Sequence, residues 1–148
     1  MKRNIILLLV FLFSTVFAIA QDAKRSPEAG NAYNNGNNFA KQRKYEDAIK
    51  AYKEAIKHDS NFPEAQANLG FCYKKIGNYE AAKNSYKKAI ELNPKFEKAY
   101  VALGNLYKDQ LKDYESAINS YNAVITSINN KNYIAYYKHI YAHSKYNI

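Results

Sequence analysis

Two histidines, His139 and His143, stand four residues apart near the C-terminal end of the sequence. On a helix that spacing turns both imidazoles to one side, where they could hold one metal ion between them. A firm site needs a third or fourth ligand, and the other soft or imidazole ligands, His58 and Cys72, lie far upstream. The pair reads more simply as exposed or capping histidines. Cys72 is the only cysteine, so no disulfide within the chain is possible. Beside Gly70 and Tyr73 it reads as a small core residue. The sequence has no Gly-rich phosphate loop, His-Glu-x-x-His, nucleophile elbow or cysteine pair. These readings predict no enzyme and no cofactor. A metal-binding or sensing role resting on His139 and His143 is the one alternative of a different class.

The chain carries 22 Lys and Arg against 13 Asp and Glu, a formal charge of +9. Basic charge with many tyrosines could serve nucleic acid, but the tyrosines recur at packing intervals and form no separate stacking platform. From Ser116 onward there is no acidic residue, and Lys131, Lys138 and Lys145 fall seven apart on one helical face. Anionic protein partners are the expectation that remains.

The first twenty residues read as a secretory signal peptide. Lys2 and Arg3 precede an apolar run from Ile5 to Phe13, and Ala18-Ile19-Ala20 is a small-x-small cleavage pattern. Ser14-Thr15 interrupts the run, which falls short of the roughly 20 apolar residues of a spanning helix. Cleavage after Ala20 would leave 20 basic against 13 acidic residues, a charge of +7. The expected location is the periplasm of a Gram-negative bacterium or the extracellular space, with no stable membrane span after cleavage. Residues 21–28 are expected to be a flexible leader, although Ser26-Pro27-Glu28 also reads as a helix start.

The elements that must position any site repeat. Tyr45-Glu46-Asp47-Ala48 with Tyr52 returns as Tyr79-Glu80-Ala81-Ala82 with Tyr86, and again as Tyr114-Glu115-Ser116-Ala117 with Tyr121. The aligned alanines are 34 and then 35 residues apart. Upstream of each block stands a glycine followed by an aromatic: Gly36 and Phe39, Gly70 and Tyr73, Gly104 and Tyr107. Glycine on one helix and alanine on the next would let paired helices approach closely, with the tyrosines filling the remaining gaps. Helices are predicted at about 27–42, 45–58, 62–76, 79–92, 96–109 and 113–128. Gly77 is placed to end a helix in the left-handed conformation. The extra residue of the third block, within Lys108–Asp113, predicts a longer turn. Asn35 stands where the other blocks have Leu69 and Leu103, which makes the first helix the weakest.

A period of about 34 residues with these offsets resembles the tetratricopeptide repeat, or TPR. The resemblance implies an all-α superhelix, right-handed, of three helix-turn-helix repeats at 29–62, 63–96 and 97–131. A C-terminal capping helix and tail would follow at 132–148. It also implies a protein-interaction module whose first helices line a concave groove for an extended or helical segment. Carried over by position, the lining is Tyr33, Asn37 and Lys41; Glu64, Asn68, Phe71, Lys74 and Lys75; and Lys98, Val101, Asn105, Lys108 and Asp109. Five lysines against two acids predict a partner segment of acidic character, with Phe71 and Tyr33 as apolar anchors. One subclass of the family, the carboxylate-clamp domains of chaperone co-factors, grips a C-terminal carboxylate with five polar residues. Asn37, Asn68 and Lys98 match that pattern. Tyr33 replaces a lysine and Ala102 an arginine or lysine, so the clamp is incomplete.

Overall fold

A computed structural model of the chain describes residues 25–128. The expected signal peptide and end helix lie outside the described residues. So do His139, His143, Lys131, Lys138 and Lys145. Among the described residues there are six α-helices: α1 (Pro27–Lys41), α2 (Tyr45–His58), α3 (Pro63–Lys75), α4 (Tyr79–Leu92), α5 (Glu97–Leu106) and α6 (Tyr114–Ile128). The all-α expectation holds. No described helix is long and apolar enough to cross a membrane.

The helix starts follow from local hydrogen bonding. Ser26 Oγ accepts from the Ala29 amide at 3.1 Å, with Pro27 in the first turn. Asn78 Oδ1 and Asp113 Oδ1 do the same for Ala81 and Ser116. Order therefore reaches back into the expected leader. Arg25 lies 3.5 Å over the Phe62 ring and pairs with Asp59 and Glu64, both at 3.3 Å. That contact holds the chain entry against the α2–α3 loop.

Within each pair the helices meet through glycine and tyrosine. A Cβ on Gly36 would stand 2.6 Å from the Tyr52 ring, one on Gly70 2.9 Å from Tyr86, and one on Gly104 2.5 Å from Tyr121. The three tyrosines are at most 1% exposed, and Ala48, Ala82 and Ala117 are wholly buried beside them. Each ring packs against the bare backbone of its partner helix, as the repeated spacing requires. The other tyrosines of the blocks, Tyr45, Tyr79 and Tyr114, sit nearer the surface.

The turns inside the pairs need a left-handed residue. It is Gly77 in the second pair (φ 80°), as expected, but Arg43 (φ 60°) and Lys112 (φ 55°) in the others. The extra residue of the third pair lengthens no loop. It is taken up inside the helix as a π-helical turn over Tyr107–Leu111. The closing bond accordingly runs from Asp113 N–H to Tyr107 O at 3.0 Å, one residue longer than Asn78 N–H to Tyr73 O. A π-turn keeps these backbone groups bonded while the following helix stays in register with Gly104.

Successive pairs stack through α2 on α3 and α4 on α5, and α3 also reaches α5 directly. Core clusters run from Ala29, Ala55 and Phe62, through Leu69 and Cys72, to Leu103, Leu106 and Val124. Among the buried residues of α1 are only Ala29 and Gly36, whereas α3 buries Ala65, Ala67, Leu69 and Cys72. The first helix is the least anchored of the inner row, in keeping with its Asn-rich middle.

Candidate functional site

A cavity of about 360 Å³ opens between α3 and α5. Asn68, Phe71 and Lys74 line it from α3, and Lys98, Val101 and Asn105 from α5. All six were candidates from sequence position. Helical periodicity places them: on α3 the third and sixth residues after Asn68 fall on one side, away from the buried Leu69 and Cys72. Phe71 is 39% exposed and meets Tyr45 edge-on at 6.2 Å between centroids. The Lys75 ammonium stands 5.4 Å from the centroid of the Phe71 ring. The wall is thus an exposed aromatic flanked by lysines, a surface suited to an apolar group carrying negative charge.

Tyr33 and Asn37 join this site through Asn68. Asn68 Nδ2 donates to Tyr33 Oη at 3.1 Å and to Asn37 Oδ1 at 3.0 Å. Asn37 Oδ1 also accepts from Tyr52 Oη at 2.8 Å. Tyr33 packs on Phe62 with centroids 4.7 Å apart and on Tyr52 at 5.8 Å. It is therefore built into the inner wall, half-buried, and is no free-standing anchor. Its ring and hydroxyl occupy the place where the carboxylate-clamp pattern has a lysine.

The remaining candidates are more scattered. Lys41 is exposed at the end of α1. Lys108 lies in the π-helical turn and pairs with Asp109 at 3.4 Å. Glu64 is engaged by Arg25 at 3.3 Å. None of these three is among the residues lining the cavity.

Sequence reasoning missed four lining residues: Ala67, Tyr86, Phe96 and Glu97. Phe96 repeats Phe62 at the 34-residue interval, so its place next to a following helix start was legible. Tyr86 was assigned to packing alone. Its ring does pack, and burial raises its phenol well above the usual range, with Cys72 adding to the effect. Burial also pushes the Cys72 thiol up to about 11, so it is unreactive at neutral pH. Ala102, read from sequence as a missing cation, indeed leaves that side of the cavity apolar.

A second cavity, about 390 Å³, lies between α4, α5 and α6 and is lined by Ile90, Tyr100, Leu103 and Ala123 among others. None of the sequence candidates lines it. Among the described residues no three His, Cys, Asp or Glu side chains gather as metal ligands would.

Comparison with known proteins accords with this geometry. A family model described as "TPR repeat" matches residues 36–77, and models described as "Tetratricopeptide repeat" match 63–96 and 85–119. The Hsp70-Hsp90 organizing protein 2 of Arabidopsis thaliana is 48% identical over 42 residues, 28% of this chain. The chain spans only 7% of that relative. Among solved structures, the "TPR2B-domain:pHsp70-complex of yeast Sti1" has a TM-score of 0.75 and 25% identity, covering 83% of this chain and all of the other. The "Second TPR of Spaghetti (RPAP3) bound to HSP90 peptide SRMEEVD" is 30% identical with a TM-score of 0.63, covering 67% of this chain and 91% of that one.

Proposed function

The chain belongs to the tetratricopeptide-repeat family, whose structural neighbours here are peptide-binding adaptor domains, and from that premise we propose that it binds an acidic peptide or helix segment in the groove between α1, α3 and α5. The observation that carries this reading is the α3–α5 cavity, where Phe71, Lys74 and Lys98 converge with two asparagine side chains. Lysines beside an exposed aromatic ring attract a segment that mixes carboxylates with apolar residues. No catalytic role is part of the proposal.

The neighbours bound to chaperone peptides supply a probe, SRMEEVD. With Tyr33 and Ala102 at two of the five clamp positions, the grip on a free C-terminal carboxylate is weakened. The side-chain carboxylates are left as the main attraction. The free-acid and amidated forms of SRMEEVD should therefore bind alike, and binding should weaken as salt is added.

The reversals Lys74→Glu, Lys98→Glu and Lys108→Glu together should abolish binding of this peptide and leave helical content unchanged. The reversals Lys131→Glu, Lys138→Glu and Lys145→Glu serve as the control. If the control loses binding and the groove variant keeps it, the site is the basic C-terminal segment and the groove assignment is wrong. The same proposal places the module outside the cytoplasm, in a bacterial envelope. Its support is the basic, apolar and small-x-small order of residues 2–20. Fractionation of cells expressing the full chain would test it, and retention in the cytoplasm would overturn it.

A further inference from the structure

The three buried tyrosines are equivalent in position but not in bonding. Each ring packs against a glycine, and in the first and third pairs its hydroxyl bonds the residue after that glycine. In the first pair that residue is Asn37, whose Oδ1 accepts from Tyr52 Oη at 2.8 Å. In the third it is Asn105, whose Oδ1 accepts from Tyr121 Oη at 2.7 Å. In the second pair the residue is Phe71, which has nothing to accept with. Among the described residues no hydrogen-bond partner meets the Tyr86 hydroxyl, although Tyr86 is only 1% exposed. A buried hydroxyl without a partner is costly, and folded proteins rarely leave one so. This one belongs to a side chain lining the α3–α5 cavity, along with Lys74 and Lys98.

We propose that the α3–α5 cavity is a carboxylate subsite, in which the Tyr86 hydroxyl donates a hydrogen bond to an Asp or Glu side chain of the partner segment while Lys98 and Lys74 supply charge. This rests on the groove reading and names the group that the groove takes. No described residue satisfies the hydroxyl, an acceptor entering the cavity from outside would do so, and two lysines favour an anionic one. Phe71, Val101 and Ala102 line the rest of the cavity and would cover the methylene groups of the bound side chain. In this arrangement Phe71 has two effects. It presents an apolar surface, and by replacing the asparagine of the other pairs it leaves the tyrosine free to bind.

Tyr86→Phe removes the hydroxyl and keeps the ring over Gly70. Thermal melts and calorimetric titration of the full chain decide the matter, with SRMEEVD and SRMQQVN, its counterpart without side-chain carboxylates, as probes. Tyr86→Phe should melt at or above the wild-type temperature, because no bond to a described residue is lost. Tyr52→Phe and Tyr121→Phe should each melt about 4–8 °C lower. Tyr86→Phe should also bind SRMEEVD about tenfold more weakly, while SRMQQVN binds both proteins equally and poorly. A Tyr86→Phe melt as low as that of Tyr52→Phe would mean the hydroxyl already has a partner, and would overturn the subsite. Wild-type affinity of Tyr86→Phe for SRMEEVD would overturn it too, with the groove reading intact. Equal binding of the two peptides by the wild-type chain would overturn the groove reading and the subsite together.

Discussion

Gly104 is where a single methyl group should do most damage. A Cβ there would stand 2.5 Å from Tyr121 Cε1 and 2.9 Å from Cδ1 and Cζ, against the roughly 3.5–4.0 Å at which carbon atoms pack comfortably. The ring has nowhere to go: Tyr121 is wholly buried, and its hydroxyl is held by Asn105 at 2.7 Å. Gly104→Ala must therefore displace α6 or distort the crossing, an overpacking that costs about 1–3 kcal/mol. Alanine returns up to about 1 kcal/mol of helix propensity relative to glycine. The steric effect is the larger, leaving a net loss of up to about 2 kcal/mol, with a melting point lower by about 4–8 °C for each kcal/mol. Gly30 is the matched control, since a Cβ there meets nothing within 4 Å. Gly30→Ala should gain about 0.5–1 kcal/mol from propensity alone. Gly70→Ala should fall between them. Its nearest ring atoms are 2.9 Å away and belong to Tyr86, whose hydroxyl no described residue holds in place, but the Ala82 carbonyl at 3.1 Å is fixed in its helix. Gly70→Leu leaves no accommodation and should unfold the array. Melts followed by circular dichroism give the order directly. A Gly104→Ala protein as stable as Gly30→Ala would show that the glycines do not mark the crossings, and the repeat register would be wrong.

Arg43 and Lys112 occupy the left-handed region that Gly77 occupies at no steric cost, so Arg43→Gly and Lys112→Gly should each raise stability by up to about 1 kcal/mol in chemical denaturation. Hydrogen exchange should be faster over 27–41 than over 63–106, because α1 buries so little; equal protection would contradict that ranking. Arg25→Ala should cost about 1 kcal/mol through loss of its ring contact and two exposed ion pairs, and should quicken exchange in α1 first. Hydrogen bonds from the Ser116 side chain, and then from its backbone amide, hold the Asp113 carboxyl below its ordinary value. A lowered value in the folded chain means that the carboxylate stabilises the fold above its ordinary range, and that this is lost as pH falls through the lowered value. Asp113→Asn keeps a capping oxygen and removes only the charge. It should melt lower than wild type at neutral pH, and the gap should close as the pH falls through the lowered value; a gap that persists at still lower pH would refute the charge argument.

The pairing of helices was legible because it rests on residues whose physical roles leave few options. A glycine in mid-helix weakens the helix unless something must come close, and a tyrosine at a fixed later offset is what comes close. The π-helical turn was not legible. One extra residue in Lys108–Asp113 can lengthen a loop or widen a helix, and the choice depends on keeping Gly104 opposite Tyr121, a tertiary demand absent from local propensity. The candidate site divides along the same line. Position along α3 and α5 was enough to bring Asn68, Phe71, Lys74, Lys98, Val101 and Asn105 together. It could not show that Arg25 engages Glu64, or that Asn68 ties down Tyr33 and Asn37, since those bonds join residues 31 to 39 apart in sequence. The clue to Tyr86 was in the sequence all along, as the residue after each glycine: Asn37, Phe71, Asn105. A repeat makes such a break informative. Where two copies satisfy a buried hydroxyl and the middle copy replaces its acceptor with an exposed ring, the same substitution that removes an internal bond opens a place for an external one. Packing and recognition therefore meet at one position, and the repeat that departs from its neighbours there is the one that lines the cavity.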